Sequence, residues 1–169
     1  MGEAGVFAPD ARIELIDGEL IDMAPIGSRH AGTVNFLSIR LVEAVGHRAI
    51  VSVQNPIVLN DLSEPQPDIA LLQPRDDMYR KSHPRSSDVL LVIEVAETTL
   101  PYDREDKLPL YARAGIPEVW IVDLSRPTLH LFRSPAGDGY ENEQVTMAPT
   151  AVTIALLPGT IVSLSRLFE

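Results

Sequence analysis

Residues 89–123 read VLLVIEVAETTLPYDREDKLPLYARAGIPEVWIVD, and this stretch decides the fold. Its opening run, VLLVIEVAE, is nearly continuously apolar, as a strand buried on both faces must be. From Asp103 the pattern turns helical and stops at Gly115 with Pro117 behind it, the usual punctuation of a helix end. EVWIVDL then supplies a second apolar strand. A strand, a helix and a strand in this order predict a parallel pair joined by a right-handed crossover. Pro109 lies inside the helical stretch, where proline fits only in a first turn, so the regular helix begins near Asp106 or begins earlier and kinks.

Working upstream, RIELIDGELIDM at 12–23 places apolar residues (Ile13, Leu15, then Leu20) around Asp17-Gly18, the strongest short hairpin signal. After Pro25, Ser28 is a plausible N-cap, and Ala31, Val34, Leu37, Leu41, Ala44 and Val45 recur at helical spacing until Gly46, a helix of about five turns. AIVSVQNPIVL and QPDIALLQP read as strands, and the polar, aperiodic RDDMYRKSHPRSSD as an exposed loop. Downstream, TLHLFR and a segment after the PAGDGY turn read as strands, and SLSRLF as a short terminal helix. The order is α/β: a mixed β-sheet flanked by helices, with an N-terminal β-hairpin.

At 169 residues, 45% of them hydrophobic, the chain has material for one compact domain spanning residues 1–169. With no cysteine, disulfide frameworks, thiolate zinc sites and cysteine nucleophiles drop out. No run approaches the roughly 18 apolar residues of a membrane span, and MGEAGVFAPD lacks the layout of a signal peptide. The expectation is a cytoplasmic protein. Fourteen basic residues against 24 acidic ones give a net charge of −10, a field that repels polyanions. Only two basic residues are lysines, Lys81 and Lys107.

The four histidines, His30, His47, His83 and His130, share no metal-binding spacing and read as surface or rim residues. No Walker loop, G-x-S-x-G or G-x-G-x-x-G is present. Two acids do sit where acids are costly. Asp68 follows Pro67 and leads straight into Ile69-Ala70-Leu71-Leu72, and Glu94 interrupts Leu90-Leu91-Val92-Ile93-Val95. A carboxylate in such a strand costs several kcal/mol unless a cation or hydrogen bonds compensate. If the two strands are neighbours, the acids converge at one sheet edge and suit a hard cation, Mg²⁺ or Mn²⁺. The plain alternative is a turn aspartate and a glutamate paired with an arginine. Lys107 follows on the next helix; in a chain that otherwise chooses arginine, it hints at a need for a compact ammonium. Its plain alternative is an i, i+4 ion pair with Asp103 on the helix surface.

Taken together, PD at 67–68, IEV at 93–95, YDREDKLPLYARAGIPEVWIVD at 102–123 and ELIDGEL at 14–20 resemble the Uma2-like family of putative restriction endonucleases, within the PD-(D/E)XK nuclease superfamily. The resemblance implies a restriction-endonuclease-like core with a divalent metal at its sheet edge. By position, Asp68 matches the aspartate of the PD element and Glu94 the acid of (D/E)XK, while the lysine position of that element is Ala96. The resemblance moves that role to Lys107 and gives Glu19 the part of an additional metal-facing acid. It implies phosphodiester hydrolysis of nucleic acid, DNA rather than RNA. Asp68, Glu94 and the carbonyl of Val95 would hold Mg²⁺ or Mn²⁺, and Lys107 would orient water or stabilise phosphoryl charge. Arg75, Arg80, Lys81 and Arg85, four cations within eleven residues, would contact substrate, and the protein would be a homodimer. The rival is a catalytically inactive dimeric binding or scaffold module on the same fold, which the acidic balance and Ala96 favour.

Overall fold

β1 (Ile13–Ile16) and β2 (Glu19–Asp22) form the antiparallel hairpin expected at the start. Asp17 and Gly18 both take positive φ, 47° and 86°, as a two-residue turn matched to strand twist requires. The face turned inward is not the one that carries Ile13 and Leu15. Glu14 and Ile16 are buried, whereas Leu20 is half exposed.

The structure, a computed structural model, describes residues 12–169. α1 (Ser28–Val45) runs the expected five turns and buries Val34, Leu37, Leu41 and Val45. Its N-cap is Gly27, which has no side chain to offer; Ser28 is already the first helical residue. The main sheet has six strands in the order β3 (Ile50–Val53), β4 (Ile69–Leu72), β5 (Val89–Ala96), β6 (Glu118–Asp123), β7 (Thr128–Ala136), β8 (Gly139–Met147). β5 and β6 are parallel and every other neighbouring pair in this sheet is antiparallel, so the sheet is mixed. A second pair, β9 (Ala151–Thr153) with β10 (Ile161–Ser163), packs with α1 over one face.

Alternation along β5 sorts its side chains. Leu91, Ile93 and Val95 join the core under α1, while Val92 and Ala96 join the opposite core with Leu108 and Tyr111. Glu94 falls in the second set by register, which turns it toward the helical connection. That connection is α2 (Leu100–Tyr102), a π turn (Asp103–Lys107) and α3 (Leu108–Arg113). It therefore begins three residues before Asp103. The Leu108 N–H bonds to the Asp103 carbonyl, an inserted residue that resets the helical register just before Pro109 and lets the proline enter as in a first turn.

The terminal SLSRLF does not form a helix. Ser163 belongs to β10, the Leu164 N–H bonds to the Thr150 carbonyl, and Arg166 has φ 77°. Strand pairing claims the first residues of the segment before a helix can nucleate. The polar stretch 75–88 is largely exposed as expected, apart from a short 3₁₀ turn at Ser86–Asp88. No described helix is long and apolar enough to cross a membrane.

Candidate active site

β4 and β5 pair with Ile69 opposite Ile93, so the next position along this antiparallel ladder sets Asp68 opposite Glu94. The two acids thereby meet at one end of adjacent strands. A cleft of about 400 Å³ opens there, lined among others by Glu14, His30, Asp68, Glu94, Asp103 and Lys107.

Asp68 is held from three elements. The Val95 N–H donates to its Oδ2 at 2.9 Å, His30 Nε2 lies 3.0 Å from the same oxygen, and Gln54 Nε2 donates to Oδ1 at 3.3 Å. Burial pushes its carboxyl up, but the hydrogen bond and charge of His30, with the Val95 and Gln54 bonds, outweigh that and hold it below the ordinary value. The hydrogen bond to Asp68 raises His30 in turn.

Glu94 is 4% exposed. Its Oε1 receives the Tyr111 hydroxyl at 2.5 Å and the Lys107 ammonium at 2.8 Å. Lys107 also lies 2.9 Å from Glu14 Oε1, and Glu14 accepts the Gln66 N–H at 2.7 Å. Burial raises Glu94 to about 8; Lys107 opposes this, while Asp103, Asp68 and Glu14 reinforce it. Repulsion between the two strand acids is thus present but secondary to desolvation. For Lys107, burial disfavours the charge, yet Glu94, Glu14 and Asp103 together carry its pKa above the ordinary value. Asp103 accepts the Thr99 hydroxyl at 2.7 Å and is raised to about 6, chiefly by burial.

Lys107 is therefore no surface residue, and the helix-surface pair with Asp103 does not describe it: both are buried, and its contacts are Glu14 and Glu94. It reaches the sheet face that holds Ala96, whose core neighbours include Leu108 and Tyr111. A lysine two residues beyond Glu94 would start from that same face.

Glu19 is exposed and outside the cleft; the acid that the first strand contributes is Glu14. The shuffled alternation of Ile13, Leu15 and Ile16 hid the phase of β1. His30 was legible in principle, since it shares the stripe of Val34, Leu37 and Leu41 at helical spacing. It lines the cleft rather than the open surface. His130 is likewise enclosed, 12% exposed at its side chain, beside Arg104 and Glu143. Arg75, Arg80, Lys81 and Arg85 lie beyond the opposite end of β4 and do not line the cleft. Arg75 is committed to Asp77 at 2.5 Å and stacks on Tyr79 at 3.8 Å.

Glu118, by contrast, is wholly buried: Trp120 and Arg133 donate to its Oε1, and the Ala155 N–H donates to its Oε2 at 2.7 Å. At the cleft, Glu94 Oε2 is approached among the described residues only by the Asp68 N–H at 3.4 Å, and Asp68 Oδ1 only by the long Gln54 contact. Free lone pairs on two carboxylates are hard oxygen donors. Because the Val95 N–H points at Asp68, its carbonyl, on the same side of an extended strand, faces that way too. No cluster of three metal-ligating side chains occurs among the described residues. Two carboxylates with a main-chain carbonyl nevertheless fit Mg²⁺, which usually keeps several waters.

A family model described as "Uma2: Putative restriction endonuclease" matches residues 3–165. The chain belongs to the Uma2 family. Among solved structures, the crystal structure of a nuclease described as putative, of the DUF820 group from Anabaena variabilis, superposes with a TM-score of 0.70 at 15% identity. The match covers 98% of this chain and 94% of that one; at such identity the likeness is one of fold. No curated protein matches. Uma2 membership and this neighbour bear out the expected α/β core, its mixed sheet and its N-terminal hairpin.

Proposed function

We propose that this restriction-endonuclease-like protein hydrolyses phosphodiester bonds of nucleic acid, DNA rather than RNA, with a divalent cation. The observation that carries the reading is the Lys107 ammonium, 97% enclosed and within 2.9 Å of both Glu14 and Glu94, in the cleft that holds Asp68. Two acids from adjacent strands and a lysine from the following helix are assembled where a structural core would place apolar groups.

In this reading Asp68, Glu94 and the carbonyl of Val95 would hold Mg²⁺ or Mn²⁺, which when bound supplies charge neutralisation at the phosphoryl group and a lowered pKa for water. Lys107 directs its compact charge at the attacking water or the phosphoryl oxygens. Glu14, rather than the Glu19 expected to face the metal, is the hairpin acid at the cleft, and it fixes the lysine. Tyr111 locks one oxygen of Glu94 and leaves the other to the cleft; His30 and the Val95 N–H do the same for Asp68. Exposed Arg80, Lys81 and Arg85 remain for the outlying part of a long substrate.

The test is incubation of the full chain with plasmid and with single-stranded substrates over a range of Mg²⁺ and Mn²⁺, with Asp68→Ala purified identically to exclude a contaminant. Ion-dependent cleavage lost in Asp68→Ala supports the proposal; equal cleavage by both, or none by either, rejects it. The family resemblance also leads us to propose a homodimer, which sedimentation at micromolar concentration checks.

A further inference from the structure

The groups at the cleft floor are almost wholly enclosed: 8% of Asp68, 4% of Glu94 and 3% of Lys107 remain exposed. A volume of about 400 Å³ suits a ligand of small-molecule size. One nucleotide is of that size and the two strands of a duplex are not.

Ile21, Met23, Pro25 and Ile26, from the end of β2 and the segment leading to α1, supply apolar lining, and Ile26 is 38% exposed. The lining also carries further acids, Asp22 within that segment and Glu97. The lining holds three cations: His30, bonded to Asp68, Lys107, held between Glu14 and Glu94, and Arg12. A protein that grips duplex DNA neutralises a series of phosphates with Lys and Arg, and among the described residues no such track enters this cleft. An apolar wall beside an acidic rim instead welcomes the flat, uncharged part of a nucleotide. That part is accessible only when the base is unpaired, and contact with a side-chain surface then repays its exposure.

We infer that the site takes a nucleotide of an unpaired strand, its base against the Ile21–Ile26 wall and its phosphodiester at Asp68 and Glu94, and that continuous duplex is refused. The inference rests on the nuclease reading above and narrows its substrate class.

The full chain is titrated, with Ca²⁺ as the only divalent cation, into one fluorescent oligonucleotide presented as a single strand, as a blunt duplex and as a duplex with an unpaired flap, with anisotropy as the readout. The single strand and the flap should bind at least about tenfold more tightly than the blunt duplex. The salt dependence should be shallow, as for about one or two neutralised phosphates. Ile26→Glu, a change at an exposed position, should keep the wild-type melting temperature and weaken single-strand binding about tenfold. Cleavage with Mg²⁺ should rank the three substrates in the same order. Duplex bound or cut as well as the single strand overturns the inference, and so does Ile26→Glu binding the strand like wild type. Selective strand binding with no cleavage in Mg²⁺ or Mn²⁺ keeps the substrate class and removes the nuclease reading; preferential cutting of duplex does the reverse.

Discussion

The ammonium of Lys107 lies 2.8 Å from Oε1 of Glu94, a contact between a π turn and the central strand that precedes it. Because both groups are buried, the pair is held by its surroundings as much as by its own attraction. Lys107→Ala leaves buried Glu14 and Glu94 without the ammonium that bonds both and should destabilise the fold by about 3–5 kcal/mol in urea unfolding. An exposed i, i+4 pair would be worth about 0.5 kcal/mol at most.

Lys107→Arg keeps the charge but replaces a compact ammonium with a planar fork too large for the space between Glu14 and Glu94. We expect a folded protein with cleavage reduced about 100-fold or more, while Lys81→Ala weakens substrate binding at most. Wild-type cleavage rates in both Lys107 variants would show that the lysine has no part in the chemistry.

Glu14→Gln and Glu19→Gln separate the two acids of the hairpin. Glu14 bonds both Lys107 and the Gln66 N–H, so its amide variant should lose about 1–3 kcal/mol. Glu19 is exposed, and its variant should stay within about 0.5 kcal/mol of wild type with unchanged cleavage. The opposite ranking in denaturant midpoints would return the hairpin's functional acid to Glu19.

Stability in metal-free buffer should fall as pH rises from about 5 to 8. Glu94 is raised from 4.5 to about 8, so over that interval the folded protein keeps a proton that the unfolded chain has released. Its contribution is full below the unfolded value and declines by up to about 1.4 kcal/mol per pH unit. Asp103, raised from 3.8 to about 6, acts in the same sense lower in the range. His30, raised above 6.5 by its bond to Asp68, contributes stability present below 6.5 that is lost as pH climbs through its folded value. Asp68, held low, acts only in stronger acid. Urea midpoints across the range measure the slope, and Glu94→Gln should make it shallower. An unchanged slope in that variant contradicts the assignment.

Millimolar Mg²⁺ should raise the melting temperature of the wild type, with about 2.7 kcal/mol of stabilisation at a hundredfold excess over Kd. Asp68→Asn should lose most of that response while keeping its fold. Equal shifts in both proteins would place cation binding somewhere other than the cleft.

The sequence by itself determined the parallel β5–β6 unit, because an unbroken apolar run, a helical pattern ending at Gly115 and a second apolar run admit few other arrangements. It also singled out Asp68 and Glu94, since a carboxylate among branched aliphatics is costly wherever it lies, and Lys107, by the scarcity of lysine in this chain. Tertiary structure alone decided what these groups meet. Alternation in β1 defines two faces but not which one turns inward, so Glu14 emerged only once the hairpin had docked over the helical connection. The bond of His30 to Asp68 depends on how α1 crosses the sheet, and the π turn that aims Lys107 at Glu94 on the register shift before Pro109. The basic loop follows β4 and precedes β5, which puts it at the far end of the strands from both acids. Local pattern fixes an element and its faces, because dihedral preference and burial are properties of neighbours in the chain. Which faces meet is set by packing between segments tens of residues apart, and there the site was made.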